Sequence, residues 1–209
     1  MSQLLKYVFL GASLIMFPAA SGAADDWQIA WGGKRNAEGA IACGGKESLV
    51  KKNTELTGKG VIVTVQITPV EALAGSDAQY KMAGIRLSTP GDDQWVVQLS
   101  ERPADQNRVH FMELRLKQNN SWALDKTKLK EIERFNTERC WEYGTTYLLK
   151  LELDDTGAAG TLYDASGAKA LAGIRYEFLK PAEVPTFGQP AFFGRNLNDL
   201  LNNPAVELR

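Results

Sequence analysis

The side chains able to do chemistry are few and scattered. His110 is the one histidine among 209 residues, and Cys43 and Cys140 are the two cysteines. One histidine cannot build a Cys/His zinc site. Ser-His-Asp chemistry would need it in an open cleft. His110 instead alternates with Met112, Leu114 and Leu116, the parity of a buried strand face. It reads as a core histidine, and catalysis is the lesser expectation. Acids and amides gather at Asp92-Asp93, at Asp154-Asp155 and in the run Asn196, Asn198, Asp199, Asn202, Asn203. Calcium takes about six to eight oxygen ligands, and no loop here has a defined calcium spacing. Turn chemistry explains these residues equally well, so calcium stays open and no cofactor is implied.

The elements that would position any site come next. Met1 to Lys6 is a short, weakly basic segment, Tyr7 to Phe17 is apolar, and Pro18 precedes the small residues Ala19 to Ala24. This predicts a secretory signal peptide over residues 1–23, with Ser21 and Ala23 before the cleavage point. The apolar run is short of the ~20 residues a membrane span needs. The remaining chain, 24–209, is expected to be one exported domain, periplasmic or secreted. With 24 basic and 25 acidic residues, neither balance nor clustering points to nucleic acid. In an exported chain two cysteines suggest one disulfide, Cys43 to Cys140.

The body of the sequence alternates with period two. Val61 to Ile67, Ala83 to Leu87, Trp95 to Leu99, His110 to Leu116 and Tyr147 to Leu153 each carry apolar residues at every second position. Trp27, Ile29 and Trp31 do so at the start. Turn signals such as Thr89-Pro90-Gly91-Asp92 and Asp154-Asp155-Thr156-Gly157 separate them. Shorter strands are expected near 39–43, 160–164, 175–179, 191–194 and 205–208. About a dozen closely spaced strands predict an all-β sandwich or barrel. Lys126 to Phe135 is ambiguous, because Leu129, Ile132 and Phe135 also fit helical spacing.

The order in CWEYGTTYLLKLELDDTGAAGTLYDASGAK, residues 140–169, is a Trp and a Gly, a Tyr-led strand, a tight turn, a return strand and a D-x-x-G turn. This resembles the late hairpin of the concanavalin A-like (laminin G-like) jelly-roll family. The succession GVIVTVQITP, YKMAGIRLS, DDQWVVQLS, RVHFMELRL and the later FGQPAFFGRN are similar to that family's strand order. The resemblance implies a two-sheet antiparallel jelly roll and, for 126–135, a strand and loop. It also implies glycan binding on one sheet face or its adjoining loops. Glycanases and polysaccharide lyases share the fold, but the glucanase signature E-x-D-x-x-E is absent. Glu113-Leu114-Arg115 is only faintly like the R-x-E-L-R strand of the lyases, with Phe111 where the first Arg would stand.

Parity selects a candidate face. If Leu87, Trp95, Leu99 and Leu114 point inward, then Arg86, Gln98, Phe111, Glu113 and Arg115 point outward on neighbouring strands. Arginine can clamp a carboxylate, and Phe111 could stack on a sugar ring. Trp122, flanked by Asn119, Asn120 and Ser121, is the tryptophan expected to be exposed, and Arg195 lies on a neighbouring loop. The expected function is a non-catalytic binding domain for glycan or another envelope component. A polysaccharide-active enzyme and a structural or protein-interaction module are the alternatives.

Overall fold

The computed structural model describes residues 26–54, 56, 60–89 and 91–209. The signal segment 1–23 lies outside them. Fourteen strands follow in chain order: β1 Trp27–Trp31, β2 Gly33–Arg35, β3 Ile41–Cys43, β4 Ser48–Lys52, β5 Val61–Ala72, β6 Lys81–Ser88, β7 Gln94–Glu101, β8 His110–Lys117, β9 Leu129–Phe135, β10 Tyr147–Leu153, β11 Gly157–Asp164, β12 Ala170–Phe178, β13 Gln189–Arg195 and β14 Leu197–Leu208. A six-stranded sheet has the order β1-β4-β13-β6-β7-β8, and an eight-stranded sheet the order β2-β3-β14-β5-β10-β11-β12-β9. All pairings are antiparallel.

The period-two pattern builds this directly. Val63, Val65 and Ile67 of β5 lie inside the eight-stranded sheet with Leu149 and Leu151 of β10, all fully buried. Ile85, Trp95, Val97 and Leu99 supply the facing wall from β6 and β7. Two inner faces about 10 Å apart interdigitate into one core. Trp95 stacks on Phe178 at 5.9 Å across the sheets and donates from Nε1 to Pro185 O. At Gly84 an added Cβ would collide with the Val97 carbonyl of β7, so only glycine lets these two strands close up there.

Two bulges displace residues from their simple parity. In β1 the register skips Ala30, so Trp31 pairs with Leu49 rather than sharing the buried side of Trp27. Trp27 is 3% exposed and Trp31 50%. In β9 the register skips Ile132, which protrudes into solvent. The helical spacing of Leu129, Ile132 and Phe135 is therefore a bulged strand, not a helix.

The expected disulfide is absent, and both cysteines are free thiols. Cys43 ends β3, near the β2 edge of the eight-stranded sheet. Cys140 follows Arg139, whose amide bonds the His110 carbonyl at the β8 edge of the other sheet. Since β1 packs near β2 and β8 near β12, the two cysteines occupy opposite ends of the sandwich. Burial pushes the Cys43 thiol up to about 12, with the Asp199 charge adding to it.

Candidate functional site

The outer face of the six-stranded sheet brings most of the candidate residues together. One cross-strand row reads Lys51 (β4), Ala191 (β13), Arg86 (β6), Val96 (β7) and Arg115 (β8). The next reads Leu49, Phe193, Gly84, Gln98 and Glu113. A third places Arg195, Met82, Ser100 and Phe111 in line. Arg86, Gln98, Glu113 and Arg115 therefore share one face on three adjacent strands.

Their environments differ. Gln98 is 4% exposed and donates from Nε2 to Glu113 Oε2 and Ser100 Oγ, both at 3.0 Å. It braces the face and offers little of itself to solvent. Glu113 Oε2 also lies 3.9 Å from the Arg115 guanidinium, and Arg115 sits over the Trp122 ring at 4.7 Å from its centroid. Trp122 is exposed, as its turn sequence suggested. Arg86 has no ion pair among the described residues, and its Nε is buried without a hydrogen-bond partner. Burial holds its guanidinium below the usual arginine range. Ser88 Oγ, on the same side of β6, is likewise buried and unpartnered. Arg195 is exposed at the far end of the third row.

Phe111 departs from its expected role. It lies on the outer side, but Arg102 covers its ring at 5.1 Å and Tyr80 meets its edge at 6.5 Å. A backbone bridge sets Glu138 beside it at the sheet edge. At 8% exposure it has no free face for a sugar ring.

Two useful residues escaped the sequence reading. Lys51 stands on β4, a strand whose SLVKK sequence carries no clear alternation. Trp31 reaches this face only through the bulge at Ala30, and Lys51 Nζ lies 5.9 Å from its ring centroid. Trp31 and Trp122 thus flank the face at opposite edges, each against a cation.

His110 is inward-facing, as its alternation implied, but its side chain is 21% exposed rather than buried, and it belongs to a polar cluster at the rim of the sandwich. Lys81 and Glu101 lie opposite one another, and Glu101 opposite His110, across β6, β7 and β8. Lys81 Nζ is 3.0 Å from Glu101 Oε1, with both side chains buried. His110 Nε2 and Tyr143 OH reach Glu101 Oε2 at 3.0 and 2.7 Å. His110 Nδ1 bonds the Trp141 carbonyl at 2.9 Å, and the two rings stack 3.9 Å apart. Trp141 Nε1 donates to the carbonyls of Ser100 and Phe111. Desolvation pushes the Glu101 carboxyl up, but hydrogen bonds from Tyr143, Lys81 and His110 outweigh it and hold it below the usual range. Every ring nitrogen of His110 is committed to structure.

The oxygen-rich loops are dispersed. Asp93 accepts from the Asn119 amide, and Asp154 from Thr156 and Gly157. Asn196 Nδ2 donates to Tyr80 O, Asn198 to Glu71 and Asn203 to Gln66. Among the described residues, no three His, Cys, Asp or Glu side chains cluster as a metal site would require. Asp199 points inward beside Cys43, 1% exposed, and neither carboxylate oxygen has a hydrogen-bond partner among the described residues. Burial raises its carboxyl to about 8.

No protein-family model matches the sequence, and no curated protein matches it significantly. Solved structures do match in shape. The exoplasmic/lumenal domain of VIP36 in its Ca2+/Man3GlcNAc-bound form superposes with a TM-score of 0.60 at 8% identity, covering 89% of this chain and 86% of that one. Lectin UEA-II complexed with galactose gives 0.56 at 9%, covering 87% and 92%. A Bacillus subtilis protein of unknown function with a galectin-like fold gives 0.54 at 13%, covering 88% and 90%. At these identities the likeness is one of fold: the chain is a two-sheet, lectin-like β-sandwich.

Proposed function

We propose that this protein is an exported, non-catalytic glycan-binding domain that uses the outer face of its six-stranded sheet. The observation that carries the reading is the pairing of exposed Trp31 and Trp122 at the two edges of a face whose middle holds Arg86, Arg115 and Glu113, braced by Gln98. Exposed indoles offer flat apolar surfaces for sugar rings, and the groups between them offer hydrogen bonds to hydroxyls. Two of the structures similar in shape were solved with saccharides, Man3GlcNAc on VIP36 and galactose on UEA-II. Export and an envelope setting rest on the N-terminal segment 1–23.

A two-carboxylate glycosidase mechanism finds less support. It needs a second acid about 5–10 Å from the first. Within the six strands Glu113 is the one carboxylate on this face, and the neighbouring Glu138, bridged to Phe111, is engaged by Arg102 at 3.0 Å. The test is a glycan array probed with residues 24–209 and with a Trp31→Ala, Trp122→Ala double variant. The reading expects binding to at least one glycan, about 5- to 150-fold weaker in the variant, the equivalent of ~1–3 kcal/mol for two lost stacking contacts. An array with no bound glycan, or binding indifferent to both tryptophans, would defeat it.

A further inference from the structure

The charge on this face is one-sided. Its outward positions within the six strands carry Lys51, Arg86, Arg115, Lys117 and Arg195 against the carboxylate Glu113. Glu138, bridged to Phe111 beyond the β8 edge, is paired with Arg102 at 3.0 Å. The whole chain has a net charge of −1, so the excess is local. The other sheet treats its charges differently. On its outer side Lys150 and Arg209 both contact Glu152, at 2.6 and 3.2 Å, and Arg134 contacts Glu131 at 2.7 Å. On the six-stranded sheet Lys52 and Lys81, at inward strand positions, meet Asp26 and Glu101 at 3.3 and 3.0 Å, and Arg102 beside Phe111 meets Glu138 at 3.0 Å. Among the described residues, the outward strand cations have one acidic contact, Arg115 to Glu113 at 3.9 Å.

The cations are also ordered. Lys51, Arg86 and Arg115 occupy one cross-strand row on alternate strands, with Ala191 and Val96 between them. Adjacent strands lie about 4.8 Å apart, so successive cations stand ~10 Å apart and the row spans ~19 Å. Ala191 and Val96 are 2% and 3% exposed, a low floor under the long side chains. Arg86, in the middle, has lost water from Nε without gaining a partner among the described residues, and an unmet buried donor favours any ligand that supplies an acceptor. Trp31 and Trp122 stand at the row's two ends, each beside a terminal cation.

From this arrangement we infer that the ligand is an acidic glycan, carboxylated or sulfated, lying across the strands along Lys51, Arg86 and Arg115. The inference rests on the glycan reading above and adds the ligand's charge and direction. A guanidinium fork receives a carboxylate or sulfate through two parallel hydrogen bonds. The ~10 Å repeat of cations is close to the length of one disaccharide, so an acidic group on every second sugar would meet each in turn. Nucleic acid is the other polyanion such a row could attract. The near-neutral chain, pI about 6.0, lacks the domain-wide positive charge that nucleic-acid binding draws on.

The experiment is affinity electrophoresis of residues 24–209 through gels containing polygalacturonate, carboxyl-reduced polygalacturonate, dextran sulfate, dextran or duplex DNA. Retardation is expected with polygalacturonate or dextran sulfate and not with the matched neutral polymer. Polygalacturonate alone would identify carboxylate recognition, and dextran sulfate alone sulfate recognition. Arg86→Gln and Lys51→Gln should each weaken it about 10- to 100-fold, the worth of one charge-assisted contact. Lys130→Gln, exposed on the other sheet, should leave it unchanged and so controls for net charge. Equal retardation by an acidic polymer and its neutral counterpart would overturn the acidic inference while leaving the glycan reading intact. So would stronger retardation by DNA, or equal loss in all three variants. No retardation by either acidic polymer would overturn it as well, and the glycan array would then decide the broader reading separately.

Discussion

Asp199→Asn should make the protein more stable at neutral pH. Asp199 lies inside the sandwich, with no hydrogen bond to either carboxylate oxygen among the described residues. Desolvation raises its carboxyl from 3.8 to about 8. The folded protein therefore keeps a proton that the unfolded chain releases. A group raised on folding contributes fully below the unfolded value and loses that contribution as pH climbs toward the folded value. The window of loss is thus about pH 4 to 8. At pH 7 the unfolded chain has gained about three pH units of ionisation free energy, or ~4 kcal/mol at 1.36 per unit. Asparagine has nearly the same shape and no charge to give up. The difference between Asp199→Asn and the parent should be near zero at pH 4, should grow to a few kcal/mol by pH 7 and should flatten above pH 8. Below pH 4 both side chains are neutral, so the low-pH baseline absorbs the cost of burying an amide. Urea unfolding across pH 4 to 9, with the midpoint shift read at constant m, measures the difference. Parallel stability curves for the two proteins would show that Asp199 is solvated or paired in solution and would refute the reasoning.

Glu101→Gln should destabilise by about 3–5 kcal/mol, because it leaves the buried Lys81 ammonium without its countercharge and deprives His110 and Tyr143 of a charged acceptor. Thermal unfolding of the variant checks this, and a loss under ~1 kcal/mol would mean Lys81 escapes to water. Non-reduced protein in denaturant should alkylate at both Cys43 and Cys140, and mass spectrometry that finds neither modified would restore the disulfide. In the native state burial pushes Cys140 up to about 11 and Cys43 up to about 12, so both should react slowly near pH 8.

Local pattern determined most of the architecture. Period-two alternation in β5, β6, β7, β8 and β10 depends only on which residues avoid water, and each of these strands appears where its alternation placed it. The same parity, applied across short turns, put Arg86, Gln98, Glu113 and Arg115 on one face before any register was known. Other features were decided by tertiary structure. Bulges at Ala30 and Ile132 arise from pairing with β4 and β12, and no count of residues along one strand reveals them. They turned Trp31 outward and made a strand resemble a helix. Phe111 has the right parity, yet Arg102 and Tyr80 arrive from elsewhere to cover it. The separation of Cys43 from Cys140 follows from strand order, which places their edges at opposite ends of the sandwich. The row Lys51, Arg86, Arg115 required β13 to insert between β4 and β6, a pairing of segments far apart in sequence. Which face a side chain takes follows from alternation along its own strand, whereas what covers that face and which charges stand together are properties of the neighbours, and only the folded sheet supplies those.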